Sequence, residues 1–231
     1  AEDREAVLQA IFSKDGACFN YCRLPMGAND FAMSFYSSAD VAGDFNLVNF
    51  NIDRDRYILI PYIKAARQIN PDLRIWASPW CPPAWMKTNN HYASAVRPSG
   101  EKDVNGLLPC EAIAEFSTGF RMEEGYLKTY ADYFARFIKA YEAEGLPLEC
   151  IHVQNEPCSN QVFPSCKWRT EDLTFFLGHY LGPTFERENI KTDIYFGTIN
   201  TSNPDYVRTA LRDEQAAKYI KGVGFQWDGK K

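Results

Sequence analysis

Residues 150–157 read Cys-Ile-His-Val-Gln-Asn-Glu-Pro. The stretch is apolar until it reaches Asn155 and Glu156, and Pro157 then ends it, because proline has no N–H to donate to a sheet ladder. A buried strand that carries a carboxylic acid at its carboxyl end is typical of the catalytic face of a β/α barrel. The stretch therefore predicts a barrel and makes Glu156 the first candidate for a catalytic residue.

The rest of the chain alternates between strand-like and helix-like segments. Five strands are predicted over residues 18–24, 73–78, 150–156, 193–198 and 222–227. Helices are predicted from Asp3, over 53–69 with a start or kink at Pro61, over 125–144, from Thr170 to a break at Gly182-Pro183, and after Asn203-Pro204-Asp205. Alternation without hairpin signals indicates a parallel sheet, either doubly wound or closed into a barrel.

The barrel is favoured because polar or aromatic residues recur where strands end. These residues are Arg23, Trp80, Asn155-Glu156, Asn200 and Gln226-Trp227. A doubly wound sheet would concentrate such groups at one switch point instead. A (β/α)₈ barrel has eight strands, so only part of one is expected here. We expect residues 1–231 to form one partial barrel domain, with small helices inside the long loop 79–124.

Composition excludes several classes of protein. The net charge of −5 over 231 residues gives no basic field for nucleic acid. No apolar run is long enough to cross a membrane. The seven cysteines lack metal-site spacing and the three histidines are scattered, so neither a metal site nor a cofactor is expected. Cys18, Cys22 and Cys150 are predicted to be reduced core residues, whereas Cys158 and Cys166 are spaced so that a local disulfide is one alternative.

Glycoside hydrolysis needs a carboxylic acid that protonates the leaving oxygen and a second carboxylate opposite it. Glu156 suits the first role, and Asn155 can donate to a sugar hydroxyl. The alternative is a strand-end glutamate in a salt bridge. Trp80 and Trp85 follow the second strand in a proline-stiffened loop, where one can stack on a sugar, although Trp85 is favoured as a core residue.

Two further groups of residues occupy strand ends. Arg23 can orient a carboxylate and Asp30 can hold sugar hydroxyls, although a purely structural Arg–Asp pair is an equal alternative. Gln226 and Trp227 end the last strand, where an amide and an aromatic ring suit a sugar pocket. His152 is predicted to be a core residue with its hydrogen bonds satisfied.

Three motifs together resemble those of glycoside hydrolase family 30, which includes glucosylceramidases and β-1,6-glucanases. They are Arg-Leu-Pro-Met-Gly-Ala-Asn-Asp-Phe at 23–31, Ala-Ser-Pro-Trp-Cys-Pro-Pro-Ala-Trp-Met-Lys-Thr-Asn at 77–89, and Gln-Asn-Glu-Pro at 154–157. They occur in the family's order and span nearly the whole chain. The resemblance implies a (β/α)₈ barrel whose second to sixth strands are present, and hydrolysis with retention of configuration.

The resemblance also implies roles for individual residues. Glu156 is expected to be the acid/base. Asn155, Asp30 and Trp80 match positions that hold the sugar in the −1 subsite, and Arg23 matches an arginine near the nucleophile. The family's nucleophilic glutamate ends the seventh strand.

No glutamate follows Glu214 in this sequence. We therefore expect the chain to be a fragment whose nucleophile lies elsewhere. The last strand reads Gln226-Trp227-Asp228, where relatives with glucosylceramidase activity carry a His-Trp-Tyr type sequence, so a β-glucan substrate is favoured at least as much as glucosylceramide. Two other readings are a non-catalytic carbohydrate-binding barrel and a doubly wound ligand-binding domain, the latter lacking a glycine-rich phosphate loop. Glycolipid or polymer substrates suggest a secreted, periplasmic or cell-surface protein.

Overall fold

The computed structural model describes residues 2–97 and 105–227. They form one parallel sheet with helices packed against it. The strands are β1 Tyr21–Pro25, β2 Arg74–Ser78, β3 Cys150–His152, β4 Asp193–Ile199 and β5 Ile220–Phe225. The helices are α1 Glu2–Phe12, α2 Asp53–Tyr57, α3 Leu59–Ile69, α4 Glu124–Ala143, α5 Thr170–Phe176, α6 Gly182–Arg187, α7 Asp205–Arg212 and α8 Glu214–Ala217.

The order of the strands across the sheet distinguishes between the two predicted architectures. The sheet runs β1-β2-β3-β4-β5, so each strand pairs in parallel with the next one in the sequence. A doubly wound sheet would reverse its order at a switch point, whereas sequential order is that of a barrel wall. The five strands therefore form an arc of a barrel, and their carboxyl ends share one face. The long loop between β2 and α4 carries the expected short helices, both 3₁₀, at Ala84–Met86 and Pro109–Glu111.

The core lies between the sheet and one face of α4, which is lined by buried aromatic side chains. Tyr130, Tyr133, Phe134 and Phe137 are each 0% exposed. The ring of Tyr130 packs on Phe176 of α5 with centroids 5.3 Å apart. Packing of this kind fixes α4 and α5 against the sheet and holds the loops between them in place. α4 ends at Ala143, and two residues later Gly145 adopts a φ of +77°, a left-handed conformation that glycine commonly provides after a helix.

Several predicted boundaries are wrong. The first strand begins at Tyr21 rather than Cys18, because the N–H groups of Ala17 and Phe19 donate to Ala10 and Ile11 in the turn that follows α1. Cys18 is consequently exposed, and Cys22 is only half-buried; neither is the core residue that was expected, although Cys150 is.

The predicted helix 53–69 is two helices separated at Ile58, close to the start or kink predicted at Pro61. Pro61 has no N–H to donate to the carbonyl of Tyr57, so a helix cannot continue unbroken through this point, whereas proline is tolerated in the first turn of α3. The predicted break at Gly182-Pro183 is absent. A π-helical turn at Leu177–Leu181 shifts the hydrogen-bond register ahead of the proline, and the helical path continues through α6. Gly182 is required there because a Cβ atom would lie 2.1 Å from the ring of Tyr219.

Candidate active site

Asn155 lies at the centre of a hydrogen-bond network at the carboxyl face of the sheet. Its side-chain Oδ1 accepts from Arg23 Nη2 at 2.7 Å, from Gln226 Nε2 at 2.9 Å and from Thr198 Oγ1 at 3.2 Å. Its backbone N–H donates to the carbonyl of Pro79 at 2.8 Å. Asn155 is 4% exposed, so the network is shielded from water and is correspondingly strong. One amide thereby connects residues that lie on or directly after β1, β2, β4 and β5.

Arg23 of β1 is held by several partners at once. Its Nε and Nη2 donate to Ser78 Oγ at 2.9 and 2.6 Å. Its guanidinium lies over the rings of Trp80 and Trp76, with centroids 4.1 and 4.9 Å away. These cation–π contacts and hydrogen bonds fix the planar group in a way that a lysine cannot reproduce. The hydrogen bonds of Arg23 therefore go to Ser78 and Asn155, and they do not form the purely structural pair with Asp30 that was one alternative.

Glu156 turns the chain out of the sheet. The strand is shorter than predicted, since β3 ends at His152 and Glu156 has a φ of +50°. A left-handed conformation costs a non-glycine residue about 1 kcal/mol or more, and strained residues of this kind cluster at functional sites. The Glu156 N–H still donates to the carbonyl of Thr198 at 3.0 Å, and its Oε2 accepts from Gln161 Nε2 at 3.3 Å. The half-buried carboxylate is thus presented at the mouth of the sheet.

The charge of Arg23 faces this carboxylate. Burial lowers the pKa of Arg23 to about 10, and the carboxylates of Glu156 and Asp30 oppose that shift. The guanidinium therefore stays protonated at neutral pH.

The loop that follows Glu156 positions Gln161. Gln161 Nε2 also donates to Ser159 Oγ at 2.8 Å, and Asn200 Nδ2 donates to the same oxygen at 2.9 Å. Asn200 Oδ1 in turn accepts from the backbone N–H of Cys158 at 3.0 Å. Asn200 was identified from its place at a strand end, but Gln161 was not, because no periodic pattern marks a side chain inside an irregular loop.

Lys87 stabilises the same loop through buried hydrogen bonds. It is 0% exposed, and its Nζ donates to the carbonyls of Tyr92, Ala93 and Ser165 at 3.1, 3.0 and 2.7 Å and to Ser94 Oγ at 3.1 Å. Ser165 Oγ accepts from the backbone N–H of Gln161 at 3.2 Å. A buried ammonium therefore ties together the two loops that surround Glu156. Sequence reasoning missed this role because lysine is almost never fully buried.

The remaining predicted site residues lie on the same face but contact the network less. Trp80 is half-buried and covers Arg23, Asp30 is exposed in the loop after β1, and Trp227 is 69% exposed immediately after Gln226. Asp228 lies outside the described residues. Trp85 is 8% exposed and its indole N–H donates to the carbonyl of Ala39 at 2.8 Å, so its predicted place in the core is confirmed.

Cys158 and Cys166 form no disulfide, and both are free thiols. Cys166 is fully buried with its Sγ close to Gly119, whereas Cys158 is half-buried and lines a cavity together with Tyr206, so the two thiols have different neighbours. Within residues 2–97 and 105–227, His, Cys, Asp and Glu side chains form no group suited to a metal ion.

His152 is buried as predicted, but its Nδ1 has no hydrogen-bond partner, so the expectation of a fully satisfied core histidine is wrong. Its ring lies between Trp76 and Tyr195, with centroids 4.2 and 5.1 Å away. Aromatic neighbours of this kind fill the space around the ring without offering a polar atom to Nδ1. Burial and the nearby Arg23 lower the pKa of His152 to about 4.

The sequential parallel strands form an arc of a β/α barrel, and Glu156 is presented beyond the carboxyl end of β3. The Glycosyl hydrolase family 30 TIM-barrel domain matches residues 2–106 and 114–230, and the chain belongs to this family. This confirms the predicted family and barrel fold. No described helix is both long and apolar enough to cross a membrane.

Relatives of two kinds are similar to the chain. Putative glucosylceramidase 4 of Caenorhabditis elegans is 31% identical over 97% of the chain and 41% of its own length. Lysosomal acid glucosylceramidase of Mus musculus is 28% identical over 97% and 41%. Endo-1,6-beta-D-glucanase of Neurospora crassa is 26% identical over 96% and 42%. The chain thus spans less than half the length of these relatives.

Solved structures show the same similarity. SrfJ from Salmonella typhimurium superimposes with a TM-score of 0.78 at 27% identity, covering 98% of the chain and 46% of SrfJ. The endo-beta1,6-glucanase BT3312 superimposes with a TM-score of 0.77 at 26% identity, covering 97% of the chain and 46% of BT3312. In both cases the match covers less than half of the solved chain.

Proposed function

We propose that the chain is part of the catalytic domain of a retaining β-glycosidase that acts on β-linked glucosides. The observation that carries the proposal is the position of Glu156. It lies four residues beyond the carboxyl end of β3, the central strand of the described sheet, and it is hydrogen-bonded by Gln161, next to the network of Arg23 and Asn155. Membership of a glycoside hydrolase family gives the class of reaction.

In the proposed mechanism, Glu156 gives its proton to the oxygen of the leaving group while a second carboxylate attacks the anomeric carbon. Glu156 then takes a proton from the water that hydrolyses the glycosyl-enzyme. The second carboxylate would come from outside this chain and stand about 5 Å from that of Glu156, as retention requires. The Asn155 amide would donate to the sugar 2-hydroxyl, and Trp80, Asp30, Gln226 and Trp227 would contact the sugar.

Two substrate classes are suggested by the relatives, namely glucosylceramide and β-1,6-glucan. Gln226 begins the Gln226-Trp227-Asp228 stretch, where relatives with glucosylceramidase activity carry a His-Trp-Tyr type sequence. Its side-chain amide donates to Asn155 and Thr198. We therefore propose a β-1,6-glucan as the preferred substrate. A polymer of this kind is too large to enter a cell, so the proposal includes export of the protein.

The test uses Glu156→Gln in the full-length protein. Glutamine keeps the size of the side chain but cannot donate a proton, so hydrolysis of glucosides with poor leaving groups should fall by about 10³-fold. Aryl glucosides with good leaving groups need no protonation and should still release their phenol rapidly, and added azide should yield a β-glucosyl azide.

The matched control is Glu149→Gln, because Glu149 precedes the same strand but pairs with Arg74 at the opposite end of the sheet. It should retain wild-type activity. Equal hydrolysis of poor-leaving-group substrates by Glu156→Gln and wild type would refute the acid/base role.

A further inference from the structure

Gln161 lies in the loop that follows Glu156, and its side-chain amide contacts the proposed acid directly. Its Nε2 donates to Glu156 Oε2 at 3.3 Å and to Ser159 Oγ at 2.8 Å. An amide NH₂ group has two hydrogens, so these two acceptors engage both of them. An ionised carboxylate can only accept, which sets the amide with its nitrogen towards Glu156. Gln161 thus contacts the acid from outside the network around Asn155.

The second acceptor of this amide is itself held in place. Ser159 Oγ also accepts from Asn200 Nδ2 at 2.9 Å, and Asn200 Oδ1 accepts from the backbone N–H of Cys158 at 3.0 Å. Asn200 directly follows β4, so the sheet supports this side of the amide. The side chain of Gln161 therefore cannot rotate away from Glu156 without losing the shorter of its two hydrogen bonds.

The backbone of Gln161 is fixed as firmly as its side chain. Its carbonyl accepts from the N–H groups of Ser94 and Ala95 at 3.0 and 2.9 Å. Its N–H donates to Ser165 Oγ at 3.2 Å, and the Ser165 hydroxyl donates back to the Gln161 carbonyl at 3.3 Å. The buried Lys87 binds the carbonyl of Ser165 in turn. The entropy of ordering this donor is therefore lost when the chain folds and not when a substrate binds.

The backbone of Glu156 does not by itself determine how its carboxyl group is oriented. The hydrogen bond from its N–H to the carbonyl of Thr198 at 3.0 Å fixes the main chain. The terminal torsion of a glutamate, which rotates the carboxyl plane, is intrinsically broad. Proton transfer needs the acid within hydrogen-bond reach of the leaving oxygen, and a misplacement of about 1 Å can cost about 10²-fold in rate. A donor fixed at Oε2 narrows this torsion.

We propose that Gln161 is a positioning residue that holds the carboxyl plane of Glu156 in the orientation required for proton transfer to the leaving group. The inference rests on the proposed function and adds to it a residue that acts through the acid. Ser159 and Asn200 act one step further away, because they fix the amide of Gln161. The alternative is that Gln161 only closes the loop after Glu156, and its loss would then weaken the enzyme whatever the leaving group.

The experiment compares Gln161→Met with the full-length wild type on two glucosides that differ only in the leaving group. Methionine keeps the length of the side chain and removes the donor. The kcat/KM for an alkyl β-glucoside, whose leaving oxygen must be protonated, should fall about tenfold. That for a dinitrophenyl β-glucoside should change by less than about twofold, because this phenol leaves without a proton and kcat/KM covers only the steps up to the glycosyl-enzyme. The matched control is Gln68→Met, since Gln68 is exposed on α3, and it should match wild type on both substrates.

A double-mutant cycle supplies a readout that a purely structural role would not change. In the Glu156→Gln background, Gln161→Met should cause no further loss on the alkyl glucoside, because no proton remains to be positioned. Ser159→Ala removes the second acceptor and leaves the backbone contacts of Gln161 untouched. It should show the same dependence on the leaving group with a loss of about threefold, and it carries the test if Gln161→Met does not fold.

The outcomes separate this inference from the function on which it rests. Equal losses on the two glucosides, or the same loss with and without the Glu156 carboxyl group, would overturn the positioning role and leave the proposed function intact. Wild-type activity of Gln161→Met on the alkyl glucoside would do the same. Wild-type hydrolysis of the alkyl glucoside by Glu156→Gln would instead reject the proposed function, and the role of Gln161 with it.

Discussion

Substitution of Asn155 by aspartate separates the structural role of this residue from its role toward substrate. All three side-chain donors around Asn155 go to Oδ1, from Arg23, Gln226 and Thr198. They fix the orientation of the amide and leave Nδ2 as the group that donates to a sugar hydroxyl. Asn155→Asp keeps an acceptor at Oδ1 but replaces the NH₂ donor by an oxygen.

The magnitudes follow from this geometry. Loss of one preorganised donor that acts in the transition state costs about 10²-fold, or about 2.7 kcal/mol, in kcat/KM. Stability should change by only about 1 kcal/mol, because Arg23, 2.7 Å from Oδ1, compensates the new charge. Asn155→Ala should instead lose about 4 kcal/mol of unfolding free energy, since it strands one charged donor and two neutral ones in a site that is 4% exposed.

The assay measures kcat/KM of the full-length protein with an aryl β-glucoside and with its 2-deoxy analogue. Wild type should lose activity when the 2-hydroxyl is removed, and Asn155→Asp should show no additional loss on the deoxy substrate. Asn189→Asp is the control, because Asn189 lies in the loop before β4 at the opposite end of the sheet. The reasoning is refuted if Asn155→Asp has wild-type activity, or if its deficit is the same with and without the 2-hydroxyl.

Two further predictions concern buried charge. Lys87→Met should lower the free energy of unfolding, measured in urea, by about 3 kcal/mol, because the carbonyl of Ser165 and three other oxygens lose their donor. The control is Lys139→Met, which removes an exposed ion pair with Glu188 and should change the free energy of unfolding by under about 1 kcal/mol. Equal effects of the two substitutions would contradict the stabilising role of Lys87. The pKa of His152 is lowered from 6.5 to about 4, so the unfolded state binds a proton first and stability should fall by up to about 3 kcal/mol as pH drops from about 6.5 to about 4. His152→Phe should abolish that part of the pH dependence, and an identical slope in both proteins would contradict it.

The strands could be predicted because each is a short apolar run between turn residues, and β2 and β4 were placed within one residue at either end. The helix through Gly182-Pro183 could not, because the π-helical turn before it has no sequence signal of its own. The tertiary contact between Gly182 and the ring of Tyr219 decides that region. The local sequence predicted that the helix would break at Gly182-Pro183, but tertiary packing keeps the helix continuous there.

Some residues of the candidate site could likewise be predicted from the sequence, and others could not. Glu156, Asn155 and Arg23 were found because they end strands, and the ends of parallel strands meet. Gln161 and Lys87 were missed because their roles depend on loops whose shape only the folded chain defines. Lys87 is the clearer case, since its four acceptors include atoms of residues 92–94 and of Ser165, which lies 78 positions further along the chain.

The network around Asn155 also bears on how such a site is assembled. Arg23, Thr198 and Gln226 all converge on one amide oxygen, so the orientation of the proposed sugar donor depends on three strands at once. A misplacement of about 1 Å can cost about 10²-fold in rate, so this dependence fixes the donor more tightly than a single contact would. Substitutions in the network should therefore slow both the formation and the hydrolysis of the glycosyl-enzyme. The loss of rate should appear whichever of these two steps limits turnover.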